Sequence, residues 1–174
     1  SPGLKRWAAI ENLKIAAQTY NEAGSIKELE QKIATTAATG KEAKQTVRKL
    51  ENRIKDLAEI IKYAEQYKAN KSYNIAYKKA KNPDAYFRKH ESQIILYGGA
   101  RRMLEQAGIS LKGLNIDKLK AEYQELTTQK KELTATYKNC DKELKSLNRK
   151  LENLNQYLGR SEPQKDTPIL VCLS

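Results

Sequence analysis

Two long stretches of this chain carry apolar residues at alternating steps of three and four, and this repeat restricts the fold more than any other feature. The spacing puts the apolar side chains on one side of a helix and is typical of coiled coils. The first seam consists of Ile26, Leu29, Ile33, Thr36, Gly40, Ala43, Val47, Leu50, Ile54, Leu57, Ile61 and Ala64. The second consists of Leu119, Tyr123, Leu126, Leu133, Tyr137, Cys140, Leu144, Leu147, Leu151, Leu154 and Leu158, with Lys130 as its polar member. Each seam predicts one long amphipathic helix.

Helix start and stop signals divide the chain further. Gly24 is a stop signal, and Ser25 with Glu28 forms a capping box directly after it. Asn82 followed by Pro83 predicts a new helix that runs to about residue 107. The predicted parts are an N-terminal helix packing at the base (1–24), a first long helix (25–71), a basic and aromatic helical tip (72–116), a second long helix (117–159) and a flexible tail (160–174).

The two long helices have similar lengths and one apolar seam each, so they are expected to pack against each other. The predicted fold is all-α: a long antiparallel coiled-coil hairpin with a small helical tip and an additional N-terminal helix. Residues 34–43 are mostly Ala, Thr and Gly, and side chains this small let another helix approach closely. Residues 4–23 are the expected partner there. Either Asn115 or Asp117 is expected to cap the second long helix.

Positive charge is concentrated in one part of the chain. The formal net charge is +12, and residues 41–102 hold 16 basic against 7 acidic side chains, which accounts for +9 of it. Seven of the twelve aromatic side chains lie in the same interval. Basic residues interleaved with aromatic ones are typical of surfaces that hold nucleic acid.

The basic, aromatic stretch has two interpretations. As a DNA-binding surface, its cations hold backbone phosphates and its tyrosines stack on bases. As a packed cap, its tyrosines form the core of the tip and its lysines face water. The candidate DNA-binding residues are Lys68, Lys71, Tyr73, Tyr77, Lys78, Lys79, Lys81, Arg88, Lys89, Arg101 and Arg102.

Groups suited to catalysis or metal binding are few. The chain has one histidine, His90, and two cysteines, Cys140 and Cys172, which match neither a metal motif nor a disulfide framework. Cys140 occupies a seam position and is interpreted as a core residue. We expect no catalytic residue, no metal and no cofactor in this segment, and hence no enzymatic activity. The lack of a long apolar run predicts no membrane insertion, and the cysteine usage favours the cytoplasm.

Several short motifs resemble one known family in order and spacing. The resemblance is to the C-terminal helical region of conjugative relaxases, the mobilisation nucleases of Gram-positive plasmids and integrative elements, and it covers about residues 5–159. Its first motifs are Arg6-Trp7-Ala8, Asn12-Leu13-Lys14 and Ala76-Tyr77-Lys78-Lys79-Ala80. It continues with Tyr86-Phe87, His90-Glu91-Ser92, Ile95-Leu96, Ala100, Leu119-Lys120-Ala121-Glu122-Tyr123 and Lys130-Lys131.

The resemblance implies a non-catalytic piece of a larger enzyme. In that family a tyrosine of a separate N-terminal domain attacks a DNA phosphodiester with the help of a metal held by histidines, and no histidine cluster exists here. The implied function is contact with DNA, either single-stranded or along its backbone, or with other proteins of the transfer machinery. The alternative is a structural coiled-coil adaptor that binds other proteins and has no nucleic-acid role. The sequence leaves the oligomeric state open.

Overall fold

The computed structural model describes residues 2–159, except for the side chains of residues 16, 17 and 19–23. Over this range the chain is built from helices and has no strand, which confirms the all-α prediction. The helices are α1 (Pro2–Lys79), α2 (Pro83–Lys89), α3 (Glu91–Gln106) and α4 (Ile116–Tyr157). The predicted tail, residues 160–174, lies outside the described residues.

The prediction of a separate N-terminal helix is wrong, because α1 continues through Gly24 and Ser25. One glycine in a helix costs only about 1 kcal/mol relative to alanine, and the flanking residues are mostly good helix formers. The capping box therefore loses to continuous backbone hydrogen bonding. The first long helix also extends past its predicted end at residue 71. It stops at Lys79, shortly before Pro83, whose ring disfavours helical backbone in the preceding residue.

The tip forms two helices where one was predicted. The backbone leaves helical geometry at His90, with φ −125° and ψ 30°, and this residue separates α2 from α3. Asn82 caps α2 as predicted, since its side-chain oxygen accepts a hydrogen bond from the Ala85 amide at 3.2 Å. Gly108, at φ +73°, follows α3 in a left-handed conformation that suits glycine. Asn115 caps α4 by accepting from the Lys118 amide at 3.1 Å, which decides between the two predicted caps.

Contacts divide the described chain into two compact units, residues 2–44 with 135–159 and residues 45–134. In the first unit α1 and α4 run antiparallel: Lys32 pairs with Glu143 at 3.8 Å, and Gln18 donates to the Tyr157 hydroxyl at 3.4 Å. The two helices approach closely at Gly40, where an added Cβ would lie 3.0 Å from the Cβ of Cys140. The small residues around Gly40 therefore accommodate α4, and the prediction that residues 4–23 approach there is wrong.

The second unit holds segments of α1 and α4 together with the whole tip. Its α1 and α4 segments are also antiparallel, with Glu51 near Lys130 at 3.5 Å and Glu65 bonded to Lys120 at 2.7 Å. The hydrophobic core contains the buried residues Ile60, Ala64 and Leu104, surrounded by Tyr63, Tyr67, Ile109, Leu111, Leu114, Ile116 and Leu119. Apolar side chains of α1, α3, the loop after it and the start of α4 thus meet in one cluster.

Candidate nucleic-acid interface

The apolar seam of α1 does not end at Ala64; its register continues, but with lysines. Positions 57, 61 and 64 of this register hold Leu57, Ile61 and Ala64, and Leu57 and Ala64 are both fully buried. The next positions, at the same alternating steps of four and three, are 68, 71, 75 and 78. They hold Lys68, Lys71, Ile75 and Lys78, all of which are exposed. One side of a single helix therefore changes from core to basic surface within one turn.

The change coincides with the point where α4 begins. Ile116 and Leu119, in the first turn of α4, pack in the cluster around Ala64 and Tyr67, and Lys120 bonds to Glu65. Beyond these residues α4 provides no further turn to cover this side of α1. Lys68, Lys71, Lys78 and the adjacent Lys79 are exposed there and form what we call the lysine stripe. At 1.5 Å per residue, Lys68 and Lys78 are about 15 Å apart along the helix axis.

The other side of α1 is covered by α2 and α3, which attach to it through aromatic rings. Tyr67 of α1 stacks on Tyr97 of α3 with ring centroids 4.9 Å apart. Tyr73 lies 5.2 Å from the ring of His90, which is itself 4.5 Å from Tyr86. Farther along α1 the Tyr77 ring contacts Phe87 at 5.8 Å. These rings hold the tip helices together through one stacked pair and three tilted pairs, at centroid distances usual for aromatic contacts.

Helical spacing places the cations of α2 away from these rings. Phe87 and His90 contact rings of α1, and Tyr86 contacts His90. Arg88 and Lys89 point away from these rings, and both are exposed. Lys81, in the turn between α1 and α2, is exposed as well. The tip therefore has its rings inside and these cations outside.

The two arginines of α3 differ in their surroundings. Arg101 donates to Glu105 at 3.0 Å, and this hydrogen bond, reinforced by the charge of the carboxylate, raises the pKa of Arg101. Its charge is thus partly balanced within the helix. Arg102 is exposed on the side of α3 opposite the buried residues Ile94, Tyr97 and Leu104. Burial raises the pKa of the Tyr97 hydroxyl, and its hydrogen bond with Tyr67 raises this pKa further.

The eleven candidate residues therefore separate into three groups. Lys68, Lys71, Lys78 and Lys79 share one side of α1. Lys81, Arg88, Lys89, Arg101 and Arg102 are exposed on other parts of the tip. The remaining two, Tyr73 and Tyr77, are half-buried in ring contacts within the chain. Within residues 2–159, Arg101 is the one candidate cation that forms an ion pair.

Ile75 lies between Lys71 and Lys78 on the same side of α1, is 43% exposed, and was not among the predicted site residues. Its position would have followed from extending the seam register beyond Ala64. An apolar residue amid lysines suits contact with the apolar part of a backbone sugar.

Across residues 2–159, His, Cys, Asp and Glu side chains do not gather in a group of three or more that would hold a metal. No helix in that range combines the length and the apolar character needed to cross a membrane. No protein-family model, curated protein or solved structure matches the chain. The resemblance to relaxases therefore stays a prediction.

Proposed function

We propose that this chain is a non-catalytic helical module that contacts the DNA backbone through the lysine stripe. In the same proposal it belongs to the C-terminal region of a conjugative relaxase and acts during DNA transfer, by itself or with other transfer proteins. The DNA contact is supported by the structure of unit 45–134, and the relaxase assignment by the motifs quoted above. The observation that carries the proposal is the change of one helical seam from apolar to lysine where its partner helix begins.

Charge balance supports an anionic partner for this surface. A coiled-coil surface in water ordinarily mixes lysine with glutamate, as α4 does. From Ala69 to Asn82, by contrast, α1 and the following turn contain no acidic residue. None of the four stripe lysines forms an ion pair within the described residues. Close like charges repel each other, and phosphates along a strand would relieve this repulsion.

Spacing along the stripe also suits a phosphate backbone. Four cations within about 15 Å on one side of a helix present a linear array. DNA binding through phosphate contacts does not depend on the base sequence, because the phosphate groups are the same at every nucleotide. We therefore expect DNA of any sequence to bind, with an affinity that falls steeply as the salt concentration rises.

The experiment compares two variants that lose the same charge. The stripe variant carries Lys68→Gln, Lys71→Gln, Lys78→Gln and Lys79→Gln. The control variant carries Lys138→Gln, Lys142→Gln, Lys145→Gln and Lys150→Gln, at exposed positions of α4. Binding to fluorescent DNA is measured by anisotropy between about 50 and 200 mM salt.

In the stripe variant the slope of log affinity against log salt concentration should be smaller in magnitude by about three to four, because each phosphate contact contributes about 0.9. The control variant should keep a slope close to that of the wild type, and both should keep the wild-type circular dichroism spectrum. An equal decrease of the salt slope in the two variants would show a general effect of net charge and would reject the lysine stripe as the DNA-binding surface. Failure of the wild type to bind at low salt would reject the whole proposal.

A coiled-coil adaptor is the second candidate, and one observation favours it. Three large apolar side chains of α3, Ile95, Leu96 and Met103, are exposed. Exposed apolar side chains on one helix are typical of protein-docking surfaces. The adaptor predicts that Leu96→Ser and Met103→Ser affect protein binding while the lysine stripe affects nothing. The same anisotropy series separates the two candidates.

A further inference from the structure

We infer that the nucleic acid on the lysine stripe is a duplex rather than a single strand; this inference rests on the proposed DNA contact. The sequence favoured a single strand or the backbone, because tyrosines accompany the lysines. Proteins that bind single strands combine a basic groove with exposed aromatic rings on which the bases stack. The decisive question is therefore whether the rings near the stripe are available.

The rings of the tip are occupied by one another. Tyr67 stacks on Tyr97, His90 lies between Tyr73 and Tyr86, and Tyr77 contacts Phe87. All of these side chains are buried or half-buried. Stacking a base on any of them would compete with the ring contacts that hold α2 and α3 on α1.

The one other aromatic side chain in this part of α1 is also engaged. Tyr63 packs against the core cluster around Ile60 and Ala64, and the Lys62 ammonium lies 5.6 Å from its ring centroid. Among the side chains that the structure describes, the exposed rings are Trp7 and Tyr157, at 64% and 69% exposure. Both belong to the other unit, so among the described side chains of unit 45–134 no aromatic ring is exposed beside the lysines.

A surface that binds phosphates alone gains more from a duplex. Double-stranded DNA carries one charge per about 1.7 Å of axis, against about 3.4 Å along one strand. The lysine stripe is about 15 Å long and therefore lies along about twice as many phosphate charges on a duplex as on a single strand. Each contact also releases more condensed counterion there, with a slope of about 0.9 rather than about 0.7. A duplex is already straight and stiff, whereas a flexible strand must be ordered to follow the helix.

The test titrates the whole chain with a labelled strand of about 20 nucleotides, alone and annealed to its complement, which gives roughly two helical turns. The duplex should bind roughly tenfold more tightly at about 50 mM salt and show the steeper salt slope. In the stripe variant the duplex preference should disappear. A single strand that binds as tightly as the duplex, or more tightly, would overturn this inference but leave the DNA contact standing. Failure of both probes to bind would instead reject the proposed function.

A second variant tests base stacking directly. Tyr77→Leu keeps an apolar side chain against Phe87 but removes the ring. We expect its affinity for both probes to equal that of the wild type. A selective loss of single-strand binding, with an unchanged melting temperature, would show that Tyr77 stacks on a base and would contradict the inference.

Discussion

The seam of α1 behaves differently on the two sides of Ala64. From Leu57 to Ala64 it is apolar and buried beneath α4 and the core cluster, and from Lys68 to Lys78 it is basic and exposed. Helix and register are the same in both stretches, so helix propensity does not explain the difference. What changes is the neighbour: the first stretch packs against protein, and the second faces outward. Packing within the chain therefore accounts for the apolar side chains of the first stretch but not for the lysines of the second.

The largest effect is expected when the side chain at the same register position is truncated on each side of Ala64. Leu57 and Lys71 lie two heptads apart. Leu57→Ala should lower the free energy of unfolding by about 2–5 kcal/mol, because it removes a fully buried side chain and leaves a cavity. Lys71→Ala should change it by less than about 0.5 kcal/mol, as is usual for surface positions. Urea unfolding followed by far-ultraviolet circular dichroism measures both.

A large loss of stability in Lys71→Ala would break the comparison, since it would mean that the lysine stretch also supports the fold. Lys71→Leu sharpens the result further. It restores the apolar seam, should leave the urea midpoint unchanged, and should weaken DNA binding.

Glycine-to-alanine substitutions should change the stability by smaller amounts. The change should have opposite signs on covered and uncovered helix surfaces. Gly40→Ala should destabilise the first unit by about 1–3 kcal/mol, because the new Cβ would lie 3.0 Å from the Cys140 Cβ and force the helices apart. Gly98 and Gly99 lie inside α3, and an added Cβ at either position meets no atom within 4 Å. Alanine at each should therefore raise the stability by up to about 1 kcal/mol. Thermal melts of the three single variants check these signs.

A stabilising Gly40→Ala would show that α1 and α4 leave more room at Cys140 than the 3.0 Å separation of the two Cβ atoms allows. A destabilising Gly99→Ala would show that the outer side of α3 is covered within the chain. Either result would remove the distinction between covered and uncovered helix surfaces in that unit.

Sequence patterns predicted those parts of the fold that depend on local signals. The second long helix was expected over residues 117–159 and is observed over Ile116–Tyr157. Its seam is nearly continuous and its cap, Asn115, is a strong N-cap residue. The break at His90 was not predicted, because the rings that it contacts come from two different helices. The continuity of α1 through Gly24 was not predicted either. A capping box competes with helical hydrogen bonds, and the local sequence does not determine which of the two forms.

The candidate site was predicted in its charges but not in its rings. Lys68, Lys71, Lys78 and Lys79 were all identified from composition, and extending the seam register would have placed them on one side of α1. Tyr73 and Tyr77 were assigned to base stacking as well as to packing. Their ring partners, His90 and Phe87, are set by how α2 folds back on α1, which the spacing of tyrosines in one helix does not determine.

Lysine acetylation with and without DNA tests the central claim most directly, because it needs no substitution. The wild-type chain is treated with a water-soluble acetylating reagent at low salt, alone and with saturating duplex, and each lysine is quantified by mass spectrometry. We expect the duplex to protect Lys68, Lys71, Lys78 and Lys79, the exposed lysines of α4 to stay reactive, and high salt to remove the protection. Protection spread evenly over all lysines, or confined to α4, would contradict it.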